Sequence, residues 1–181
     1  MIEMAKIRSY EFGLCFRNGE IQSLLPQGTH WFFDPWCKIK IDVVSQRNPW
    51  LVHEKLDVIV KSGILDGHAT VIDLKDHERA LVWIEGRFNC VLAPGLYAYF
   101  TGFKDVRVEI VDARNARFQH ADFQAIVGSN SAARVLDVCN VERNHLGVSF
   151  VDGEFAETLS PGKYACWFAR PRRPLLSTSP I

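Results

Sequence analysis

The stretch Leu81-Val82-Trp83-Ile84-Glu85-Gly86-Arg87-Phe88-Asn89-Cys90-Val91-Leu92-Ala93-Pro94-Gly95-Leu96-Tyr97-Ala98-Tyr99-Phe100 holds two apolar runs about Glu85-Gly86, then a Pro-Gly pair, then an aromatic run. The same design occurs three times. Gly19, Gly86 and Gly153 stand at equal spacing (153 − 86 = 86 − 19), and the companion glycines Gly28, Gly95 and Gly162 keep the same period. Self-similarity at a fixed period marks a repeat architecture and takes precedence over any local motif. The glycines head no helix, as phosphate-cradling glycines do, and are read as strand turns.

In the first copy, Tyr10–Arg17 has the character of a strand, Asn18-Gly19 is a strong hairpin signal, and Glu20–Leu25 returns. Pro26-Gln27-Gly28 predicts a second turn and His30–Phe33 a third strand. Ile39, Ile41 and Val43 alternate with Lys40 and Asp42, the period of a strand buried on one face. Beyond Pro49 the apolar spacing becomes helical, predicting a helix to Ser62-Gly63, and then a short helix and an extended segment over 64–73.

The second copy retraces this with Tyr97–Phe100, with Val106, Val108 and Ile110, with a helix over Ala121–Val127, and with helical residues through Leu136. The third holds Val148, Phe150, Asp152-Gly153, Phe155, Leu159, Pro161-Gly162 and Tyr164–Phe168. Its fourth strand would fall on Arg170-Pro171-Arg172-Arg173-Pro174, where proline removes ladder donors, so none is predicted.

The fold class is therefore α+β and β-dominated: three tandem related units of antiparallel β-meander, each a Gly hairpin plus a Pro-Gly turn, joined by short helices. Unit boundaries are placed at 1–70, 71–137 and 138–169, with a disordered tail over 170–181. Whether the units line up as beads or merge into one body is open.

The 181 residues are 48% hydrophobic, enough for a core. Lys+Arg and Asp+Glu both number 21, so no net field draws in nucleic acid. Five scattered cysteines without C-x-x-C spacing argue against a disulfide framework or structural zinc, and for reduced, buried thiols. Met1–Tyr10 lacks the apolar run of a signal peptide, and nothing approaches the roughly 18 apolar residues of a membrane span. A cytoplasmic chain, peripheral at a membrane only through a partner, is the expectation.

Three sets of residues carry a specific resemblance: Glu11-Phe12-Gly13-Leu14 with Gly19 and Leu25-Pro26-Gln27-Gly28; Glu78-Arg79-Ala80-Leu81 with Gly86 and Leu92-Ala93-Pro94-Gly95; and Leu146-Gly147-Val148 with Gly153 and Leu159-Ser160-Pro161-Gly162. Over Lys6–Phe168 the chain resembles the N-terminal repeat region of bacterial slipins, of the stomatin/prohibitin/flotillin (SPFH, Band 7) superfamily. The resemblance implies a non-catalytic, membrane-associated scaffold whose partners are itself or other SPFH-type subunits. The relatives continue into an SPFH core. Here Arg170–Ile181 stands instead, as expected of a stand-alone relative, a truncated product or a severed N-terminal region.

Residues that could carry chemistry have simpler accounts. Asp73, Asp76, His77 and Glu78 could ligate a metal, but their counterparts Asn140, Arg143, Asn144 and His145 differ, and the run reads as a solvated strand entry. Cys90 with a histidine could form a nucleophile pair, but it occupies the mid-strand position of Ser23 and Glu157. No catalytic residue, metal or cofactor is predicted. His30 shares its place with Tyr97 and Tyr164, an aromatic packing position.

His53 and His120 match across copies and are read as capping or orienting the helix starts, and are counted with the arginines and tryptophans below as candidate inter-unit or partner contacts. Arg47 and Arg114 are read as holding carbonyls or acids between units. Trp31, Trp36 and Trp50 pack in the core or, if exposed, mark a partner surface. The expected function is a non-enzymatic assembly module. A stand-alone peptide- or protein-binding protein is the alternative, and a cysteine- or metal-dependent hydrolase the third reading.

Overall fold

A computed structural model describes residues 2–33, 36, 38–151, 153–167 and 176–180. The protein is β-dominated, 55% strand and 9% helix, and its sheets are built on antiparallel hairpins. The chain opens with β1 (Ile2–Ile7), β2 (Glu11–Arg17), β3 (Glu20–Leu25), β4 (Gly28–Phe33), β5 (Ile39–Ser45) and α1 (Leu56–Lys61). It continues with β6 (Ala69–Leu74), β7 (Glu78–Ile84), β8 (Arg87–Leu92), β9 (Gly95–Phe100), β10 (Val106–Asp112) and α2 (Phe123–Val127). A 3₁₀ turn (Ala132–Arg134) leads to β11 (Leu136–Val141), β12 (His145–Val151), β13 (Glu154–Leu159), β14 (Gly162–Trp167) and β15 (Leu176–Pro180). The starts of β1, β6 and β11 keep the period of the glycines, as do those of β2, β7 and β12.

The hairpin turns follow from residue type. Asn18 and Gly19 have φ of 54° and 86°, and Glu85 and Gly86 have 53° and 70°, the paired left-handed residues of a type I′ turn. Glu85 tolerates this conformation because its N–H donates to Asp105 O at 2.9 Å and its Oε1 accepts the Asp105 N–H at 2.8 Å.

Among the described residues no four-strand meander forms. In the first copy the sheet order is β3-β2-β5, while β4 leaves to pair with β1, Ile7 facing Gly28 and Met4 facing Trp31. The reason lies in β2, where Gly13, Leu14, Cys15 and Phe16 are all buried. Neighbouring side chains on a strand point to opposite faces, so both faces need cover. The β1-β4 pair covers one, with Ile7 and Phe32 packed against Cys15, Leu25, Ile39 and Ile41. The other sheets are β10-β7-β8, β6-β9, β11-β14 and β13-β12-β15.

The chain divides into two compact units. Unit 1 comprises Met1–Asp73, Ile84–Gly86 and Gly95–Arg107; unit 2 comprises Leu74–Trp83, Arg87–Pro94 and Val108–Ile181. Each takes strands from two successive copies of the sequence pattern. In unit 1, Leu14, Phe16 and Ile21 of the first hairpin close on Ile59 of α1 and on Ala98 and Phe100 of β9. In unit 2, Leu81 and Trp83 close on Ile126 of α2 and on Ala165 and Trp167 of β14, each one repeat period beyond its counterpart.

The helices are shorter than predicted, because part of each connection is extended. Leu51 N–H donates to Ala98 O and Phe100 N–H to Pro49 O, so 49–51 runs as a ribbon beside β9 and α1 starts only at Leu56. Phe118 and Trp167 repeat these bonds to Ala165 and Ala116, which delays α2 to Phe123. The helix expected after Ile64 is a series of turns up to His68, and Leu136 opens a strand instead of extending a helix. The strands β1 and β11 have no counterpart among the predicted elements.

The fourth strand predicted to be missing from the third copy is present. β15 pairs antiparallel with β12, His145 facing Pro180 and Ser149 facing Leu176. It begins beyond Pro174, and as an edge strand it can hold Pro180 without losing an inner ladder bond. Pairing is one position later than in β2-β5, where Glu11 faces Ser45. The tail predicted to be disordered is thus a strand over 176–180, and Arg170–Pro174 lies outside the described residues.

Leu14 is fully buried, so Leu14→Ala is expected to cost about 2–5 kcal/mol in urea unfolding, whereas Val43→Ala, at an exposed site on β5, is expected to stay within about 0.5 kcal/mol. Gly86→Ala, at positive φ with open space around the new Cβ, is expected to cost about 1 kcal/mol through backbone strain alone.

Candidate functional site

His53 and His120 occupy the same structural position in their two units. In unit 1, His53 Nδ1 accepts the Lys55 N–H at 3.0 Å, and Lys55 is the N-cap of α1. Accepting through Nδ1 leaves the proton on Nε2, which lies 3.3 Å from Asp42 Oδ2, and the ring stacks on Phe16 at 5.4 Å. In unit 2, His120 Nδ1 accepts the N–H of Asp122, the N-cap of α2, at 2.9 Å. Its Nε2 lies 3.3 Å from Glu109 Oε1, and its ring stacks on Trp83 at 5.5 Å.

Asp42 and Glu109 are again separated by one repeat period, so a chain from carboxylate to imidazole to helix start is built twice. The side chains of His53 and His120 are only 12% and 8% exposed. With both ring nitrogens engaged, neither imidazole presents a free lone pair to a metal or a substrate proton. Each ring thus links a carboxylate of β5 or β10 to the backbone N–H of the residue at the helix start. Burial pushes the Asp42 carboxyl upward, but hydrogen bonds from Lys40 and His53 outweigh this and hold it below its ordinary value.

Beside His120 in unit 2 lies an open depression of about 180 Å³, lined by Arg117, Phe118, Phe123, Lys163 and Tyr164 among others. It is smaller than the roughly 300 Å³ at which ligand pockets begin. Arg117 is also engaged, 3.4 Å from Glu157 Oε1 and 5.0 Å over the Tyr164 ring.

The arginines expected to bridge units make local contacts. Arg114 grips Asp112, its near neighbour in sequence, through Nε at 2.9 Å and Nη2 at 2.6 Å. Arg47 lies over the Tyr10 ring at 5.3 Å within unit 1. Trp50 stacks on Tyr99 at 6.4 Å, beside the ribbon pairing, whereas Trp31 and Trp36 are exposed. His30 bonds the Pro26 carbonyl through Nε2 and stacks on Phe32.

Of the cysteines, Cys15 and Cys166 are buried, Cys90 and Cys139 half-buried, and Cys37 lies outside the described residues. Burial raises the Cys15, Cys139 and Cys166 thiols above their ordinary value, which keeps them protonated and unreactive at neutral pH. In the Asp73–Glu78 run, Glu78 Oε2 accepts the Lys75 N–H at 2.9 Å, a local turn contact. Among the described residues no three His, Cys, Asp or Glu converge as metal ligands. No described helix is long and apolar enough to cross a membrane.

Neither a protein-family profile, nor a curated protein, nor a solved structure matches the chain. Sequence reasoning missed the carboxylates Asp42 and Glu109, although the offset that joins the two histidines joins these also.

His120→Ala strips the Asp122 N–H and Glu109 of a shared partner and is expected to cost about 1–3 kcal/mol in urea unfolding. The side-chain and backbone hydrogen bonds of Arg114 lower the Asp112 carboxyl to about 2, a group whose ordinary value is 3.8. A depressed carboxylate favours the fold above its unfolded pKa and loses that effect as pH falls through its folded one. In an NMR titration Asp112 is therefore expected to protonate near pH 2 and, in Arg114→Ala, to return toward the ordinary range.

Proposed function

We propose that the chain is a non-catalytic assembly module of three related units, similar to the N-terminal region of bacterial slipins and serving a membrane-associated SPFH scaffold. The observation that carries this reading is the outer face of the β1-β4 pair. Met4 faces Trp31 in the register, and Phe33 is the next residue of β4 on the same side, so all three share that face. They are 57%, 67% and 74% exposed. A contiguous apolar face rimmed by polar residues marks a protein contact. The engaged nitrogens of His53 and His120 and the small depression beside His120 fit a binding role better than a catalytic one. The slipin connection rests on the three Gly and Pro-Gly motif sets.

Purified chain is expected to pellet with vesicles carrying a membrane-bound SPFH-type subunit, or to self-associate in solution, and not to pellet with protein-free vesicles. Trp31→Ala with Phe33→Ala is expected to weaken this at least tenfold while leaving the circular dichroism unchanged. A chain that stays monomeric at every concentration and never joins SPFH-bearing vesicles would sink the reading.

A further inference from the structure

The core of each compact unit joins strands of two copies across a connecting segment. The hairpin of one copy provides Leu14 and Phe16 in unit 1, or Leu81 and Trp83 in unit 2. The third strand of the next copy provides Ala98 and Phe100, or Ala165 and Trp167. Two halves of this construction occur without their complement among the described residues.

The first is the β1-β4 pair. Trp31 and Phe33 stand one repeat period before Ala98 and Phe100. The later residues are 0% and 1% exposed, so Trp31 and Phe33 hold, at the surface, positions that are core in the next copy. The second is the β13-β12-β15 sheet. Val148 and Phe150 stand one period beyond Leu81 and Trp83, and Phe155 the same distance beyond Phe88. Phe155 faces Phe150 in the register, with the rings 6.4 Å apart, and is 61% exposed. Even the irregularity of the hairpin is kept: the register shifts at Cys15/Phe16 in β2 and at Ser149/Phe150 in β12. This sheet has the strand order and the apolar face that β9 and β14 cover in their own units.

We propose that a second copy of the chain supplies the complement: the β1-β4 face of one molecule, led by Trp31 and Phe33, packs on the β12-β13 face of another, led by Phe150 and Phe155. The contact is head to tail and rebuilds the hairpin-to-third-strand core already made twice within the chain. Residue size fits this occupant. Inside the chain the space over the hairpin is shared with Leu51, Ile59 and Leu65 of the connection, and the third strand needs only alanine at positions 98 and 165. At the equivalent position β4 carries Trp31, whose bulk fills volume that a connecting segment otherwise takes. The surfaces are different from each other, so each molecule in a pair keeps one of them free and the contact extends into a row or closes into a ring.

The inference rests on the assembly reading above and names its partner. Light scattering on a size-exclusion column tests it with two variants. Trp31→Asp with Phe33→Asp removes the head face, and Phe155→Asp removes the tail face; both change exposed residues, and circular dichroism checks that each folds. If Phe155→Asp unfolds, Phe155→Thr, which suits a strand, takes its place. Wild type is expected to gain mass with concentration, each variant alone to stay at 20.6 kDa, and an equimolar mixture of the two to give a species of twice that mass and no larger.

A mixture that stays monomeric, or a variant that self-associates like wild type, overturns the head-to-tail contact and leaves the assembly reading standing. A monomeric wild type that still pellets with SPFH-bearing vesicles does the same. A monomeric wild type that fails to pellet overturns both.

Discussion

Four consecutive buried residues on β2, Gly13 to Phe16, set the terms for unit 1. A strand that is apolar on both faces cannot lie at the surface of a flat meander, because one face would stay in water. The third strand therefore leaves the sheet and covers the hairpin from one side, while α1 and β9 close over the other. Leu14 and Cys15 are neighbours in sequence yet belong to different cores. β7 has the same run of buried positions, Ala80 to Trp83. Its residues Leu81 and Trp83 fill the core of unit 2, as Leu14 and Phe16 fill that of unit 1.

Covering the second face from the next copy changes what a repeat means here. A sequence copy runs from one first strand to the next, but a core is completed only when the following copy contributes its third strand. Each copy lends strands to one core and takes cover from another. Among the described residues the β1-β4 pair and the β13-β12-β15 sheet stand without such cover, and they carry the exposed Trp31, Phe33 and Phe155, whose counterparts Ala98, Phe100 and Ile21 are buried. His53 and His120 serve the same purpose at smaller scale. Their rings stack on Phe16 and Trp83, and each ring ties a carboxylate of the fourth strand to a helix start, fixing where the connection turns over the core.

Much of this is legible from local chemistry. The Asn18-Gly19 and Glu85-Gly86 turns are where the residue types place them, and β3 and β8 follow from them. The matching of His53 with His120 comes from the period alone. The ribbon at Pro49–Leu51 is not legible: its apolar spacing suits a helix, and only pairing with β9, far along the chain at Ala98, holds it extended. β1 escapes notice because Ile2–Ile7 is a strand only by virtue of β4. The same holds for β15, whose partner β12 lies well upstream. Arg47 and Arg114 have partners beside them, Tyr10 in space and Asp112 in sequence, where their position in the repeat suggests a bridging role between units.

By itself the sequence determined the period, the β-dominated class, the hairpin turns and the positions of the paired histidines, because each depends on residues within a few steps of one another or on direct comparison of copies. Tertiary structure alone decided which strand pairs with which, that two compact units share strands from successive copies, and that Trp31 and Phe33 face solvent whereas Ala98 and Phe100 do not. Those outcomes depend on which distant segment reaches an apolar face and covers it, and residue spacing within one copy carries no record of that.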